Sequence, residues 1–196
     1  TPHQHLAFGR LFGDLDVHSA APHEEGRSEL MVIHADKDSP RANGEGWHTD
    51  VSCDLGPPMG SILYMKTCPP KGGDTLFASM YAASEALSER MKRYLEGMTA
   101  IHDGEQVYRG LYANYGIADK PQYPRAEHPV IRTHPVTGKK GLYVNRGFTR
   151  ALVGVPRDES DAILRYLYEH MENPLFQCRF PWRGNSIAFW GNRCAQ

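Results

Sequence analysis

Short β-type runs separated by glycine and proline constrain the fold of this chain more than any other feature. Segments 29–33, 61–66, 75–78, 129–133, 142–145, 176–182 and 186–190 all read as strands. Most are bounded by turn chemistry such as Pro57-Pro58, Pro69-Pro70, Gly72-Gly73, Gly138 or Gly184. Branched and aromatic side chains suit a pleated, half-buried surface, whereas Gly and Pro interrupt it. Many short strands with such punctuation favour a sandwich, a jelly roll or a barrel.

Two segments depart from this pattern. Over 81–96, Leu87, Met91 and Leu95 recur at i, i+4 and i+8, and Gly97 stands where a C′ glycine belongs. Over 158–172, Ile163, Leu164, Leu167, Tyr168 and Met171 make one apolar face, and Asn173-Pro174 stops the helix. Both stripes read as core-facing packing. The expected class is mainly β with helices, that is α+β. At 196 residues the chain suits one domain, 1–196, with a core of its own. It shows neither a repeat nor a linker.

The charge balance bears on partners. Net charge is −1 with both signs interspersed, so nothing points to nucleic acid or to a membrane surface. No apolar run approaches the roughly 18 residues of a membrane span. The four cysteines, Cys53, Cys68, Cys178 and Cys194, form no C-x-x-C pair, which argues against a zinc or redox motif. They read as free thiols of a reducing cytosol, with pairing across the fold left open. Segment 104–125 carries Tyr108, Tyr112, Tyr115 and Tyr123 without clean periodicity. A long aromatic connection of this kind is a candidate lid or substrate loop, or else an ordinary packed excursion.

Chemistry enters at Trp47-His48-Thr49-Asp50. On an extended strand, residues two apart share a face, so His48 and Asp50 could converge on one metal ion. One imidazole and one carboxylate are two thirds of the 2-His-1-carboxylate triad of non-haem Fe(II) oxygenases. With ten histidines in the chain, such a triplet also arises by chance, and His34-Ala35-Asp36 is a second one. The contexts differ. His34 runs into a polar turn, whereas His48 lies on a loop leading towards the strand at 61–66, where ligands are commonly delivered.

The blocks around this motif resemble those of the taurine/2-oxoglutarate dioxygenases. They are Phe12-Gly13-Asp14-Leu15, Trp47-His48-Thr49-Asp50-Val51, Gly72-Gly73-Asp74-Thr75-Leu76, the run from His128 to Pro135, Val144-Asn145-Arg146-Gly147-Phe148-Thr149, and Trp190 to Gln196. They occur in the family's order and span nearly the whole chain. The resemblance implies a double-stranded β-helix (jelly-roll, cupin-like) core flanked by helices, with the C-terminal end of the domain lacking. It implies Fe(II) held by His48 and Asp50, 2-oxoglutarate as cosubstrate contacted by Thr75, and O2. His18 and Phe148 fall where the family contacts substrate. The reaction implied is hydroxylation of a small organic molecule such as a sulfonate, sulfate ester or aryloxyalkanoate, with release of succinate and CO2. A small-molecule enzyme of the cytoplasm, with homo-oligomerisation left open, completes the expectation.

Departures from the family pattern are informative. A tyrosine expected three residues after His18 is Ala21, which disfavours taurine as substrate. The 42–46 loop does not cleanly reproduce the asparagine of the taurine enzymes. The second iron histidine is expected immediately beyond Gln196, and the arginine for the far carboxylate of 2-oxoglutarate later still. His102, His128, His134 and His170 match neither. Two rival readings stand beside the dioxygenase: a non-catalytic jelly-roll binding domain, and a cupin-type metal enzyme using His48, Asp50 and an internal histidine without 2-oxoglutarate.

Overall fold

Most of the expected β runs are strands in the computed structural model, which describes residues 1–18, 23–39, 44–114 and 123–196, with backbone alone for 110–114. In chain order the first elements are α1 (Pro2–Gly9), β1 (His23–Glu24), β2 (Arg27–Met31), β3 (Gly60–Tyr64), β4 (Thr75–Ala78), α2 (Met80–Glu85) and α3 (Glu89–Leu95). Next come β5 (Thr99–Asp103), α4 (Glu105–Asn114), β6 (Arg125–Pro129), β7 (Ile131–Thr133), β8 (Lys140–Leu142) and β9 (Thr149–Leu152). The long α5 (Arg157–Met171), a helical turn over Pro174–Phe176, β10 (Gln177–Phe180) and β11 (Ile187–Gly191) complete the order. The fold is a strand-rich mixture of α and β.

Two compact units hold these elements. Residues 1–46 and 105–123 form one, and 47–104 with 124–196 form the other. In the first, Thr1 and Gln4 close a capping box on α1, and β1 and β2 form an antiparallel hairpin.

In the second, every strand pair is antiparallel. β4 pairs with β10, β3 with β11, β7 with β8, and β5 lies between β6 and β9. Early strands of this unit are thus joined to its last ones. The β3–β11 register sets Gly60 opposite Gly191 and Ser61 opposite Trp190. A Cβ on Gly60 would stand 2.5 Å from the Trp190 carbonyl oxygen, so this approach admits only glycine.

The core of this unit gathers Val130, Leu142 and Val144 with Leu164, Leu167 and Met171 of α5. The 3.6-residue period predicts this face, and α5 follows the expected span with Asp158 and Glu159 in its first turn and His170 in its last. Leu167 is wholly buried. Leu167→Ala should cost about 2–5 kcal/mol of unfolding free energy, read from urea denaturation, with an unchanged far-UV spectrum below the transition.

Elsewhere local chemistry redraws the expected elements. The 81–96 helix is two helices, because Ser88 turns extended and its Oγ caps Met91 N at 3.2 Å. The stripe is unaffected: Leu87 and Leu95 are both buried, and Gly97 takes its C′ position at φ +79°. The 129–133 run divides at Val130, whose N–H donates to the Met98 carbonyl while its own carbonyl accepts from Tyr143 N. The 29–33 strand lies two residues earlier, leaving Val32 and Ile33 exposed beyond it. The 142–145 run contributes only Leu142 to a strand. β5 and β9 went unanticipated. β5 buries Ala100 and His102 on alternate positions, an alternation that a search for large apolar residues misses. The 104–125 connection contains α4, and its stretch 115–122 lies outside the described residues. None of the four cysteines is in a disulfide. Among the described residues, no helix is long and apolar enough to cross a membrane.

Candidate metal centre

His48 and Thr49 lie in irregular backbone leading into a turn at Asp50, rather than on the extended strand their spacing suggested. Asp50 immediately precedes a tight turn over 51–54, closed by the hydrogen bond from Asp54 N to the Val51 carbonyl, with Val51 at φ +53°. The two side chains nonetheless converge, with His48 Nε2 3.3 Å from Asp50 Oδ1. Thr49 between them points inward. Its side chain is buried, and its Oγ1 donates to the Ala195 carbonyl at 3.1 Å. That bond fixes which way the tripeptide faces.

Convergence alone does not separate this pair from its decoy. His34 Nε2 stands 3.4 Å from Asp36 Oδ2, almost the same separation. The surroundings do separate them. His34 and Asp36 side chains are 78% and 53% exposed, against 32% and 29% for His48 and Asp50. Asp36 also serves its own turn, accepting from Asp38 N and from the Ser39 hydroxyl, bonds that hold its carboxyl below the usual range. It is an Asx turn. The second oxygen of Asp50 is engaged differently, by the Ser61 hydroxyl at 2.5 Å.

A nitrogen and an oxygen 3.3 Å apart fit two adjacent positions on one ion. Ligands bound at roughly 2.1 Å and near right angles stand about 3 Å from each other. The chemistry of the donors, imidazole plus carboxylate, suits Fe(II). Among the described residues, no group of three His, Cys, Asp or Glu side chains forms a metal site.

The internal histidines are accounted for by other roles. His134 Nδ1 accepts from Val136 N and Thr137 N in a turn, and His170 Nε2 lies 2.7 Å from the Ala83 carbonyl oxygen. His102 and His128 belong to a buried aromatic stack with Tyr143, their rings 5.3 Å apart. His128 Nε2 is 2.9 Å from the Asp54 carbonyl oxygen. His102 Nδ1 lies 3.0 Å from Ser52 Oγ and its Nε2 3.4 Å from Thr149 Oγ1. Burial, reinforced by neighbouring His128, pushes His102 down to about 3, so the ring is neutral at physiological pH. These contacts weaken the cupin-type reading, which needs one of these rings at the metal.

A turn over 145–149 supports the ligand loop from below. Asn145 Nδ2 donates to Ser52 Oγ at 2.9 Å, and Asn145 Oδ1 accepts from Phe148 N at 2.8 Å. Gly147 in this turn backs His48: a Cβ there would stand 3.2 Å from His48 Cβ. Phe148 belongs to this turn, and its ring is buried. Thr75 heads β4, where its Oγ1 accepts from the Trp182 indole N–H at 2.8 Å. His18 belongs to the other compact unit, with its ring edge-on to Tyr108 at 5.6 Å. Ala21 and residues 40–43 lie outside the described residues. The sequence reading missed Ser52, Ser61, Asn145 and Asn192. Asn145 and Asn192 sit inside blocks that carried the resemblance. Ser61 looked like an ordinary first residue of a strand.

The fold thus brings an imidazole and a carboxylate together beside an antiparallel β scaffold. The chain belongs to the taurine catabolism dioxygenase TauD, TfdA family, whose model matches residues 1–196. It is 41% identical over 195 residues to a Schizosaccharomyces pombe protein, covering 94% of this chain and 49% of that one. It is 34% identical to the Saccharomyces cerevisiae alpha-ketoglutarate-dependent sulfonate dioxygenase, with 96% and 48% covered. Among solved structures, a taurine dioxygenase from Burkholderia xenovorans superposes with TM-score 0.82 at 36% identity, covering 100% of this chain and 64% of that one. The chain spans about half the length of the two yeast relatives.

Proposed function

We propose that this chain carries most of the active site of an Fe(II)- and 2-oxoglutarate-dependent dioxygenase acting on a small organic substrate. The observation that carries the reading is the 3.3 Å convergence of His48 Nε2 and Asp50 Oδ1 in a half-buried loop, in a chain whose whole length matches the family. Residues 1–196 act as one domain of double-stranded β-helix type, in which His48 and Asp50 are the iron ligands this chain supplies. When bound, the iron couples oxidative decarboxylation of 2-oxoglutarate, giving succinate and CO2, to hydroxylation of a substrate C–H bond.

The residues of the chain supply binding and orientation. His48 and Asp50 would hold the metal. Thr75 donates to a carboxylate of 2-oxoglutarate. Because Trp182 already donates to Thr75 Oγ1, the hydroxyl proton is left for such an acceptor. His18 and Phe148 contact substrate, and segment 104–125, with α4, supplies the substrate loop. Sulfonates, sulfate esters and aryloxyalkanoates form the substrate class, with taurine itself disfavoured by Ala21. Relatives named for a sulfonate, a sulfate ester and (S)-phenoxypropionate support that breadth. A soluble cytoplasmic enzyme is the reading most consistent with four free thiols.

The test uses the full-length protein. Anaerobic Fe(II) with 2-oxoglutarate should give a metal-to-ligand charge-transfer band, and Asp50→Ala should lose it. Succinate release should then depend on one member of a panel of sulfonates, sulfate esters and aryloxyalkanoates. A band that persists in Asp50→Ala removes Asp50 from the ligand set, and substrate-independent succinate release throughout the panel removes the substrate class.

A further inference from the structure

We infer that Ser61 and Asn192 are positioning residues which hold Asp50 to a single metal-facing oxygen. The inference rests on the metal reading above and goes beyond it to two residues outside the ligand set. Ser61 Oγ lies 2.5 Å from Asp50 Oδ2, and Asn192 Nδ2 lies 3.0 Å from Ser61 Oγ. Asp50 Oδ1 is the oxygen that faces His48. The carboxylate is thus divided, one oxygen towards the imidazole and the other towards a hydroxyl.

Donor and acceptor capacity fixes the direction of this chain of bonds. An ionised carboxylate only accepts, and a serine hydroxyl has one proton. Ser61 therefore donates to Asp50, and Asn192 must present its NH2 to Ser61 rather than its carbonyl. Asn192 is almost wholly buried, and its Oδ1 meets no donor among the described residues, so this contact anchors the amide. Its backbone is fixed too, with the N–H donating to the Met59 carbonyl at 3.0 Å.

Strand pairing brings these residues together. Ser61 lies on β3 opposite Trp190, and Asn192 immediately follows β11. The close Gly60–Trp190 approach holds the two strands at the separation that the amide-to-hydroxyl bond needs. The paired strands, rather than the ligand turn itself, thus set the orientation of the carboxylate. The consequence is chemical. A three-ligand site that must also accept a chelating cosubstrate and O2 has no position to spare. A carboxylate free to swing to two-oxygen binding would take one of them. Outer contacts of this kind orient ligands and tune affinity.

The experiment compares the full-length protein with Ser61→Ala, Ser61→Thr, Asn192→Ala and Asp50→Ala. Each is titrated anaerobically with Co(II), following binding by calorimetry and ligand-field absorption, and each is melted without metal. Ser61→Ala should bind Co(II) about 10- to 100-fold more weakly, with a changed ligand-field spectrum and a Tm close to the parent's. Ser61→Thr, which keeps the hydroxyl, should restore both affinity and spectrum, and Asn192→Ala should fall between the two. Parent-like affinity and an unchanged spectrum in Ser61→Ala would overturn the relay while leaving the ligand assignment intact. Co(II) binding that survives Asp50→Ala would overturn the ligand assignment and the relay with it.

Discussion

Replacing His48 by alanine should lower divalent-metal affinity more than about 100-fold, because losing a ligand must exceed the 10- to 100-fold cost of losing an outer contact. Replacing His34 should leave affinity unchanged. The comparison is unusually controlled, since the two His-x-Asp triplets have nearly equal nitrogen–oxygen separations of 3.3 and 3.4 Å. A ligand pair needs partial shelter from water and a carboxylate held from outside its own turn. His48 and Asp50 have both, with Asp50 Oδ2 tied to Ser61 on β3. Asp36 instead folds its carboxylate back onto its own turn. Calorimetric titration of His48→Ala, Asp50→Ala, His34→Ala and Asp36→Ala with Mn(II) checks the prediction. Equal losses from both triplets would refute it.

Acidification should unfold this protein through its core as well as its surface. His102 is wholly buried, and its pKa is pushed down to about 3 from an ordinary value of 6.5. The folded state therefore binds fewer protons than the unfolded chain between those values. Its contribution is complete above the unfolded pKa and is lost as pH falls from about 6.5 towards about 3. Each tenfold loss of proton affinity on folding corresponds to about 1.4 kcal/mol, so the full loss is of order 5 kcal/mol, a large share of ordinary domain stability. His128, also lowered by burial, adds to the same slope. Urea denaturation at intervals between pH 7 and pH 4 should show falling stability, with a shallower slope in His102→Gln. An equal slope in that variant would place the acid sensitivity elsewhere.

The candidate site was legible in the sequence as a short motif, and its surroundings much less so. The ligand pair is local, two residues apart, so a short motif carries it. β4 and α5 were legible for a similar reason, since their patterns are complete within one segment. The supports of the site are not local. Ser61 looks like any strand residue until β11 brings Asn192 beside it, and His102 looks like a candidate ligand until its ring is seen packed against Tyr143. The split of the 81–96 helix turned on Ser88, whose capping geometry outweighed an unbroken apolar stripe. Periodicity predicts which side chains are buried, and it does not predict where a serine hydroxyl finds a backbone N–H.

Thr49 has a consequence for the order of events in folding. Its bond to Ala195 spans 146 residues, the Asn192–Ser61 bond spans 131 and the Trp182–Thr75 bond spans 107. Each joins an early part of the chain to its last stretch. Contacts of such separation are made late, after the entropy of closing long loops has been overcome. His48 and Asp50 therefore reach their orientation only once the stretch around 192–195 has folded back onto them.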